Sequence, residues 1–366
     1  MKKIPWWEPQ TGKIELELVS KVIKSNFPNE GDYTYLFERK ISKLVGAKHA
    51  VTTPNCTQAI FLALKGLGIG HGDEVIVPDL CFIAAPNAVD LAGAKPVLAD
   101  TDHNTLNIDP QSFEKAITKR TRAVIPVHVT GRPVAMEKIM PIAKKRNIYI
   151  IEDAAEGFMS KYKGKYLGTF GDAGCFSFSP AKTITSGQGG AVVTNSNKLY
   201  LRLKELKDQG RPKRGTGGDD LHNVIGYNFK FTNLQAAFGL GQLTYLKNRM
   251  RNMRRIHELY VKNLRGITGI KIFEADTNNG VLPQWTDAIV EDRDGLDKFL
   301  RENNIDCRRF WFPIHAQIPY KQSNTKFPNS TKMSPKILWL PSAFTLTDKD
   351  IKYVCDMIKR YLNGEK

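Results

Sequence analysis

The middle of this chain alternates between two kinds of segment, and this alternation most constrains the fold that the chain can adopt. Between residues 57 and 151, short apolar runs of strand length follow stretches in which apolar side chains recur at helical spacing. The predicted helices are Thr57–Leu67, Phe82–Leu91, Pro110–Ile117 and Met136–Arg146, and the predicted strands are Glu74–Val77, Lys95–Leu98, Ala123–Val129 and Ile148–Ile151. Strands that alternate with helices at this spacing form a mostly parallel sheet covered by helices. We therefore predict an α/β fold.

Both ends of the chain depart from this alternation. Residues 13–24 and 32–45 have helical patterns, whereas Gly174–Phe178 and Gly190–Thr194 are typical of a strand pair. The C-terminal part mixes predicted strands near Val281–Val290 and Asp306–Phe310 with predicted helices Leu296–Glu302 and Asp348–Leu362. A chain of 366 residues is long for one core. We therefore predict a large domain over residues 1–250, with an N-terminal helical segment, and a smaller C-terminal α+β domain over residues 251–366.

The formal charge of +17 has two explanations. A lysine-rich surface exposed to solvent is the one we favour, and the other is an anionic partner, either a nucleic acid or a phosphorylated small molecule. The densest basic run consists of Lys247, Arg249, Arg251, Arg254 and Arg255. Apolar residues recur between them at helical spacing, which predicts an amphipathic helix with a solvent-exposed basic face. This run has no interleaved aromatic residues on which bases would stack, so nucleic acid is the weaker alternative.

The sequence also argues against several other site classes. Its five cysteines are scattered without CxxC spacing, which predicts reduced and mostly buried thiols, and its seven histidines never pair at metal-ligand spacing. The glycine-rich segment 66–72 follows a helix, so it is a turn and not a dinucleotide site. Neither a signal peptide nor a run of the ~18 apolar residues that a membrane helix needs is present. We expect a cytoplasmic protein.

Two ionisable residues stand where a cofactor could be held at both ends. Asp153 directly follows a predicted strand, and ligands of open α/β sheets bind at the carboxyl ends of strands. Lys182 lies among small and apolar residues, an environment that lowers an amine's pKa as a Schiff-base lysine requires. Taken singly, Asp153 is equally well explained as a helix cap, and Lys182 is one of many lysines. Together they suggest pyridoxal 5′-phosphate (PLP), whose pyridine nitrogen is kept protonated by a carboxylate.

A phosphate-binding segment is the third requirement of such a cofactor. Thr52–Thr57 ends a short apolar segment and opens the next predicted helix, and helix N-termini offer free N–H groups to a phosphate. Ser177 and Ser179, close to Lys182 in the sequence, are further candidates to hold an anion. An ordinary Thr or Asn helix cap is the alternative, and it would be preferred if this segment stood alone.

Three blocks of sequence carry a resemblance to a known family. They are Ile151–Glu156 with Gly168–Asp172, Ser177–Lys182 and Gly187–Gly190; then Gly226–Ala237; and, more weakly, Phe312–His315 with Pro319–Tyr320. In this order and spacing they resemble the sugar aminotransferases of the DegT/DnrJ/EryC1/StrS family, within the fold-type I PLP enzymes. The resemblance runs over nearly the whole chain and implies that family's large PLP-binding domain and smaller C-terminal domain.

The resemblance implies a role for each matching residue. Lys182 would form the Schiff base with PLP, and Asp153 would contact the pyridine nitrogen. The other implied cofactor contacts are Phe82 on the ring, Glu156 near the phenolic oxygen, Cys56, Thr57 and Ser177 at the phosphate, and Asn228 at the phosphate of the neighbouring subunit. The implied role of Asn228 requires a homodimer with shared active sites. His315 and Lys230 would contact the substrate.

Two of these positions depart from the family pattern. The family usually has Gly where Cys56 stands, and often Arg where Lys230 stands. Gly tolerates backbone conformations that Cys does not, so Cys56 implies a different backbone at the phosphate. The sequence does not position the loop Gly210–Asp220.

The expected reaction is a ping-pong transamination through Lys182, with glutamate as donor and a nucleotide-linked 4-keto-6-deoxyhexose as acceptor. Glu156 with Phe312–His315 most resembles family members that aminate C4 of a GDP-linked sugar, but the sequence does not choose among GDP, UDP and dTDP. A 3-keto sugar or a cyclitol remains an alternative acceptor. A dehydratase of this fold has histidine in place of the Schiff-base lysine, so Lys182 argues against it. The alternative from another class is a non-catalytic sensor or binding protein that retains the fold.

Overall fold

The structure, a computed structural model, describes residues 3–212 and 220–365. Its helices are α1 (Lys13–Lys24), α2 (Asp32–Val45), α3 (Cys56–Gly66), α4 (Ala84–Leu91), α5 (Pro110–Ala116), α6 (Met136–Lys145), α7 (Asn197–Lys207), α8 (Asn233–Leu243), α9 (Leu246–Leu264), α10 (Arg293–Glu302), α11 (Pro328–Met333) and α12 (Asp348–Leu362). Its strands are β1 (His49–Thr53), β2 (Glu74–Pro78), β3 (Lys95–Ala99), β4 (Thr121–Val124), β5 (Tyr149–Asp153), β6 (Lys161–Tyr162), β7 (Lys165–Tyr166), β8 (Ala173–Ser177), β9 (Gly190–Thr194), β10 (Ile270–Ile272), β11 (Thr286–Val290), β12 (Arg308–Arg309) and β13 (Ile337–Leu340).

A seven-stranded sheet with the order β1-β9-β8-β5-β4-β2-β3 forms the larger layer. The pairs from β8 to β3 are parallel, and β9 runs antiparallel to both of its neighbours. Helices cover both faces, and alternating side chains of each strand enter the two cores. On β2, Val75 and Val77 pack with α3 and α4, whereas Ile76 packs with α5 and α6. This mostly parallel, helix-covered sheet confirms the predicted α/β class.

The strand directions bring three segments of the chain to one edge of this sheet. Because β1 and β8 are both antiparallel to β9, they run in the same direction as β5. The carboxyl ends of β1, β5 and β8, at Thr53, Asp153 and Ser177, therefore meet at one edge. Ligands of open α/β sheets bind at this kind of edge.

A second, antiparallel sheet with the order β10-β11-β13-β12 packs with α9, α10 and α12. The N-terminal segment packs against this part of the chain, since Ile4 forms an isolated parallel bridge with Ile305, before β12, and the ring of Trp6 lies 5.9 Å from that of Trp339. The predicted domain boundary, after residue 250, falls inside α9. The division into two domains at this point remains a prediction.

Most predicted elements are present with small shifts at their ends. Helices α1, α2 and α12 have the predicted bounds, and β8 and β9 form the predicted strand pair. Three predicted strands are shorter than expected, since β4 ends at Val124, β11 begins only at Thr286 and β12 covers only Arg308–Arg309. The loop Gly210–Asp220 could not be positioned from the sequence, and its residues 213–219 lie outside the described residues. Among the described helices, none is long and apolar enough to cross a bilayer.

The basic helix α9 differs from its prediction at one residue. Arg249 is buried and does not belong to a solvent-exposed basic face. Its guanidinium donates hydrogen bonds to the carbonyl oxygens of Thr183 (3.1 Å) and Gln10 (2.8 Å) and to the side chain of Gln242 (2.6 Å). Burial lowers the pKa of Arg249 to about 10. The basic run in the sequence therefore contains one arginine that fixes the N-terminal segment and the chain after Lys182. All five cysteines are free and buried, as predicted.

Candidate active site

A cavity of about 280 Å³ lies at the edge of the large sheet where β1, β5 and β8 end. Most of the predicted cofactor residues line it: Cys56, Thr57, Phe82, Asp153, Glu156, Ser177 and Lys182. A larger cavity of about 1,020 Å³ lies beside α7, but none of the predicted site residues lines it. The smaller cavity is the candidate site because it gathers the groups that can do chemistry.

Asp153, at the end of β5, is a buried acid with unused hydrogen-bonding capacity. Its carboxylate accepts a hydrogen bond from the backbone N–H of Ala155 at 3.0 Å, the one such bond to this side chain within the described residues. Burial raises the pKa of Asp153 to about 6, an effect to which the nearby charge of Glu156 adds. The carboxylate is therefore ionised at neutral pH and costly to bury alone. A protonated ring nitrogen would satisfy it.

Lys182 and Glu156 form an ion pair inside the cavity. The amine Nζ of Lys182 lies 3.2 Å from Oε1 of Glu156 and 4.7 Å from the centre of the Trp285 ring. The other oxygen of Glu156 accepts the backbone N–H of Thr130 at 2.8 Å. The side chain of Lys182 is 13% exposed. The amine is thus held in position but can still be reached from the cavity.

The turn from β1 into α3 forms the anion-binding wall. Asn55 caps α3 by accepting the N–H of Gln58 at 2.9 Å. Cys56 and Thr57, the first two residues of the helix, line the cavity, and the N–H groups of a helix's first turn have no partner within the helix. Gly190, at the start of β9, packs so closely here that an added Cβ would lie 2.7 Å from the backbone nitrogen of Cys56. Burial raises the pKa of the Cys56 thiol well above its usual value, so this side chain adds no negative charge.

The residues around this cavity fit PLP. Lys182 and Asp153 can hold the aldehyde and ring-nitrogen ends, and the start of α3 with Ser177 can hold the phosphate. Phe82 lines the cavity and is 52% exposed, so its ring is available to stack on the ring of PLP.

A model of the DegT/DnrJ/EryC1/StrS aminotransferase family matches residues 9–359. The chain belongs to this family.

Individual members of the DegT/DnrJ/EryC1/StrS family are similar over almost the full length. GDP-perosamine synthase of Escherichia coli O157:H7 is 38% identical over 370 residues, covering 100% of both chains. GDP-perosamine synthase of Vibrio cholerae is 35% identical, covering 98% of this chain and 99% of that protein. The solved structure of DesI in the presence of its TDP-sugar product is 28% identical with a TM-score of 0.91, covering 100% of this chain and 94% of DesI. These similarities confirm the predicted family and fold.

Three residues to which the DegT/DnrJ/EryC1/StrS resemblance gives a role do not line the cavity. Asn228 forms a backbone bridge with Asp208, and the amine of Lys230 lies 3.0 Å from the carboxylate of Asp208. His315 is 1% exposed, and its Nδ1 lies 2.6 Å from the carboxylate of Asp79, so it is enclosed in a buried network. Within one subunit, His315 is therefore not presented to the cavity, and the substrate roles of His315 and Lys230 remain predictions.

Sequence reasoning missed the wall that the smaller sheet contributes. Trp285, Arg308, Trp311 and Trp339 line the cavity opposite the large sheet. The signal in the sequence was weak: Arg308 and Trp311 immediately precede the Phe312–His315 block, but Trp285 and Trp339 stand in apolar segments that only their strands identify as neighbours. This family member thus closes its site with the indole rings of Trp285, directly before β11, and Trp339, on β13, and with the residues around β12.

Proposed function

We propose that this chain is a PLP-dependent aminotransferase that converts a nucleotide-linked 4-keto-6-deoxyhexose to the 4-amino-4,6-dideoxyhexose, with glutamate as amino donor. The observation that carries the proposal is the meeting of Lys182, Glu156 and Asp153 in one cavity beneath the N-terminus of α3. Membership of the aminotransferase family supports the reaction class. The cofactor is PLP, as in this family of aminotransferases.

The cofactor, when bound, supplies an electron sink that stabilises the charge left on carbon after a proton is removed. Asp153 is suited to keep that sink effective, because its ionised carboxylate favours a protonated ring nitrogen. The N–H groups at the start of α3 and the hydroxyl of Ser177 would bind the phosphate and fix the ring's position. Phe82 would cover one face of the ring.

Lys182 is the residue that we propose moves the proton. Its Nζ would hold the cofactor covalently at rest and, once displaced by the donor's amine, is free to take a proton from the donor's α-carbon. The ion pair with Glu156 keeps Nζ over the cavity, and the N–H of Thr130 keeps Glu156 in place. Trp285 packs against the amine, with 4.7 Å between Nζ and the ring centre, and shields one side of it.

The names of two relatives support a sugar nucleotide as acceptor. The proteins from E. coli O157:H7 and V. cholerae are both GDP-perosamine synthases, and DesI was solved with a TDP-sugar product. The formal charge of +17 also suits an acceptor that carries a diphosphate. We therefore propose a GDP-linked sugar, aminated at C4, as the first acceptor to test.

We further propose a cytoplasmic homodimer whose two active sites are shared. The position of Asn228 supports this arrangement. It lies at Asp208, outside the cavity of its own subunit, although the family resemblance gives it a phosphate contact. A residue that binds a neighbour's cofactor is expected to lie on the surface of its own subunit in this way.

The test is a titration of the two half-reactions. Protein loaded with PLP is mixed with glutamate, and the visible absorbance of the bound cofactor is followed before and after a GDP-linked 4-keto-6-deoxy sugar is added. We expect glutamate to remove the band and the keto sugar to restore it, with the 4-amino sugar identified by mass and NMR. If only a 3-keto sugar or an inosose restores the band, that compound is the acceptor in place of the 4-keto sugar. No response to any amino donor would contradict the transaminase proposal.

A further inference from the structure

The wall formed by the smaller sheet carries an arginine whose guanidinium forms no ion pair within the described part of the chain. Arg308 is on β12, and its guanidinium lies 4.9 Å from the Trp6 ring and 5.3 Å from the Trp339 ring. No hydrogen bond or ion pair joins this guanidinium to any of the described residues. The adjacent Arg309 is different, because its Nε lies 3.0 Å from Asp297 and 3.4 Å from Asp294. Two neighbouring arginines of one strand thus have opposite environments.

The two indole rings hold the Arg308 guanidinium without satisfying its N–H groups. Stacking on an aromatic ring fixes the plane of a guanidinium, and its N–H donors at the edge of that plane stay available. A guanidinium of this kind matches a planar carboxylate with two parallel hydrogen bonds. Arg308 also lines the cavity that contains Lys182 and Asp153. Its free edge is therefore placed to bind an anion that enters the active site.

The aromatic wall links Arg308 to the reactive amine through two indole rings. Lys182 Nζ lies 4.7 Å from the Trp285 ring, and the Trp285 and Trp339 rings are 4.7 Å apart. Arg308 lies against the second of these rings, so two touching indoles separate the two cations. Partial burial lowers the pKa of Arg308, and the charge of Glu156 opposes this shift, although Arg308 as a whole remains an exposed residue.

We propose that Arg308 binds the α-carboxylate of the amino donor, an inference that rests on the proposed transaminase function. The α-carboxylate is attached to the carbon whose proton Lys182 removes, so its receptor must line the cavity that contains Nζ, as Arg308 does. The diphosphate of a sugar nucleotide is separated from the reacting carbon by the sugar ring.

This assignment explains how one cavity serves two unlike substrates. The donor brings a carboxylate to Arg308, whereas the sugar brings neutral hydroxyl groups. The N–H groups of Arg308 can donate hydrogen bonds to either. The rings of Trp6 and Trp339 keep the guanidinium in place during the exchange, and no carboxylate among the described residues pairs with it. Arg308 is a binding and positioning residue in this arrangement, and Lys182 remains the residue that moves the proton.

The experiment compares Arg308→Met with Arg309→Met as its matched control. The donor half-reaction is followed by loss of the cofactor's visible absorbance over a range of glutamate concentrations. The acceptor half-reaction is followed from the pyridoxamine phosphate form with the keto sugar. We expect Arg308→Met to raise the half-saturating glutamate concentration by about 10- to 100-fold, because the variant loses a pair of charge-assisted hydrogen bonds. The half-saturating concentration of the keto sugar should change much less. Arg309→Met should leave the half-saturating concentrations of glutamate and of the keto sugar near their wild-type values.

A binding measurement separates recognition from turnover. Because Arg308 contacts Trp6 and Trp339, we expect 2-oxoglutarate to change the tryptophan fluorescence of the wild type and of Arg309→Met, and to bind Arg308→Met about 10-fold or more weakly. Arg308→Lys keeps the charge without the planar fork and should show an intermediate loss, which guards against a folding defect in Arg308→Met. Unchanged glutamate saturation in Arg308→Met, with the wild type responding normally, overturns the assignment. Selective weakening of the sugar nucleotide would overturn it too and would assign Arg308 to the diphosphate. Failure of the wild type to respond to any donor would instead contradict the proposed function.

Discussion

Lys182 donates a hydrogen bond to one carboxylate oxygen of Glu156, with 3.2 Å between Nζ and Oε1, and the backbone N–H of Thr130 donates to the other, Oε2. The position of the reactive amine is therefore linked through one carboxylate to the backbone after β4. Thr130 adopts φ 49°, a left-handed conformation that is rare for a β-branched residue, and it is followed by Gly131 at φ 86°. A strained backbone turn thus supplies the N–H that orients Glu156.

Replacement of Lys182 by alanine should abolish turnover, because no other described amine lines the cavity at this place. The variant should fold and still hold pyridoxamine phosphate noncovalently, since Asp153 and the start of α3 are intact. Turnover, the cofactor's visible spectrum and thermal unfolding with and without pyridoxamine phosphate check these outcomes. Lys182→Arg is the charge-preserving control and should be equally inactive. An active Lys182→Ala enzyme would rule out the proposed mechanism.

Asp153→Asn should have opposite effects on the empty and the loaded protein. In the cofactor-free chain the raised pKa, about 6, means that an ionised Asp153 costs stability at pH 7. The shift from its usual value of 3.8 corresponds to about 3 kcal/mol at one pKa unit per 1.36 kcal/mol. Removing the charge should therefore raise the free energy of unfolding of the empty protein by up to that amount, and weaken the binding of PLP.

The pH dependence of this effect has a definite sign. A group whose pKa is raised by folding contributes stability below its unfolded pKa and loses it as the pH rises through the folded value. The advantage of Asp153→Asn should be greatest above pH 6 and should vanish near pH 4. Urea unfolding of both cofactor-free proteins between pH 4 and 8 measures it. A constant difference across this range would mean that the Asp153 carboxyl is not the cause.

A buried ion pair connects the turn at Thr130 to the smaller sheet. Arg132 lies 2.8 Å from the carboxylate of Asp287 on β11, and that carboxylate also accepts the hydroxyl of Thr130 at 3.2 Å. Arg132→Met should leave Asp287 buried without its cation and lower the free energy of unfolding by about 3–5 kcal/mol. Denaturant unfolding gives this value. Loss of activity beyond the loss of folded protein is also expected, because Thr130 orients Glu156.

An exposed ion pair provides the control for Arg132→Met. Arg265 and Glu274 are 3.4 Å apart with both side chains about two-thirds exposed, so Arg265→Met should cost about 1 kcal/mol or less. Similar losses in the two variants would show that the buried pair has no special role.

The sequence predicted the parts of the site that follow from chain order. Asp153 and Lys182 were candidates because a carboxylate after an apolar strand and a lysine among small residues are local patterns. Their meeting in one cavity follows from the strand directions, which the alternation of strands and helices implies. The α/β fold was therefore predictable, whereas the exact ends of β4 and β12 depend on contacts that no local pattern records.

The parts that could not be predicted depend on contacts between distant segments. Arg249 belongs by its spacing to a basic run, and only the approach of Thr183 and Gln10 to α9 makes it a buried donor. Trp285 and Trp339 become neighbours through the pairing of β11 with β13. His315 is prevented from facing the cavity by Asp79, which is far away in the sequence. The sequence gives the charge or aromatic character of each of these residues, but it does not give the residues that they contact.

Mixing two inactive variants should restore activity if the active sites are shared. Lys182→Ala lacks the reactive amine, and Asn228→Asp would direct a negative charge at the neighbouring subunit's phosphate. In a mixed dimer, one site combines the intact Lys182 of one chain with the intact Asn228 of the other. After subunit exchange at limiting PLP, about one quarter of the wild-type activity is expected, because half of the dimers are mixed and each has one intact site.

The controls for this experiment test the dimer and the residue separately. Lys182→Ala mixed with Lys182→Ala carrying the Asn228→Asp change should remain inactive, because no chain then supplies the amine. Sedimentation or light scattering should show dimers in every sample. Activity of the first mixture equal to the mean of the two separate variants would place Asn228 outside the partner's site. Because Asn228 lies beside Asp208 and not at the cavity of its own subunit, restored activity has a single structural explanation: the residue acts across the interface.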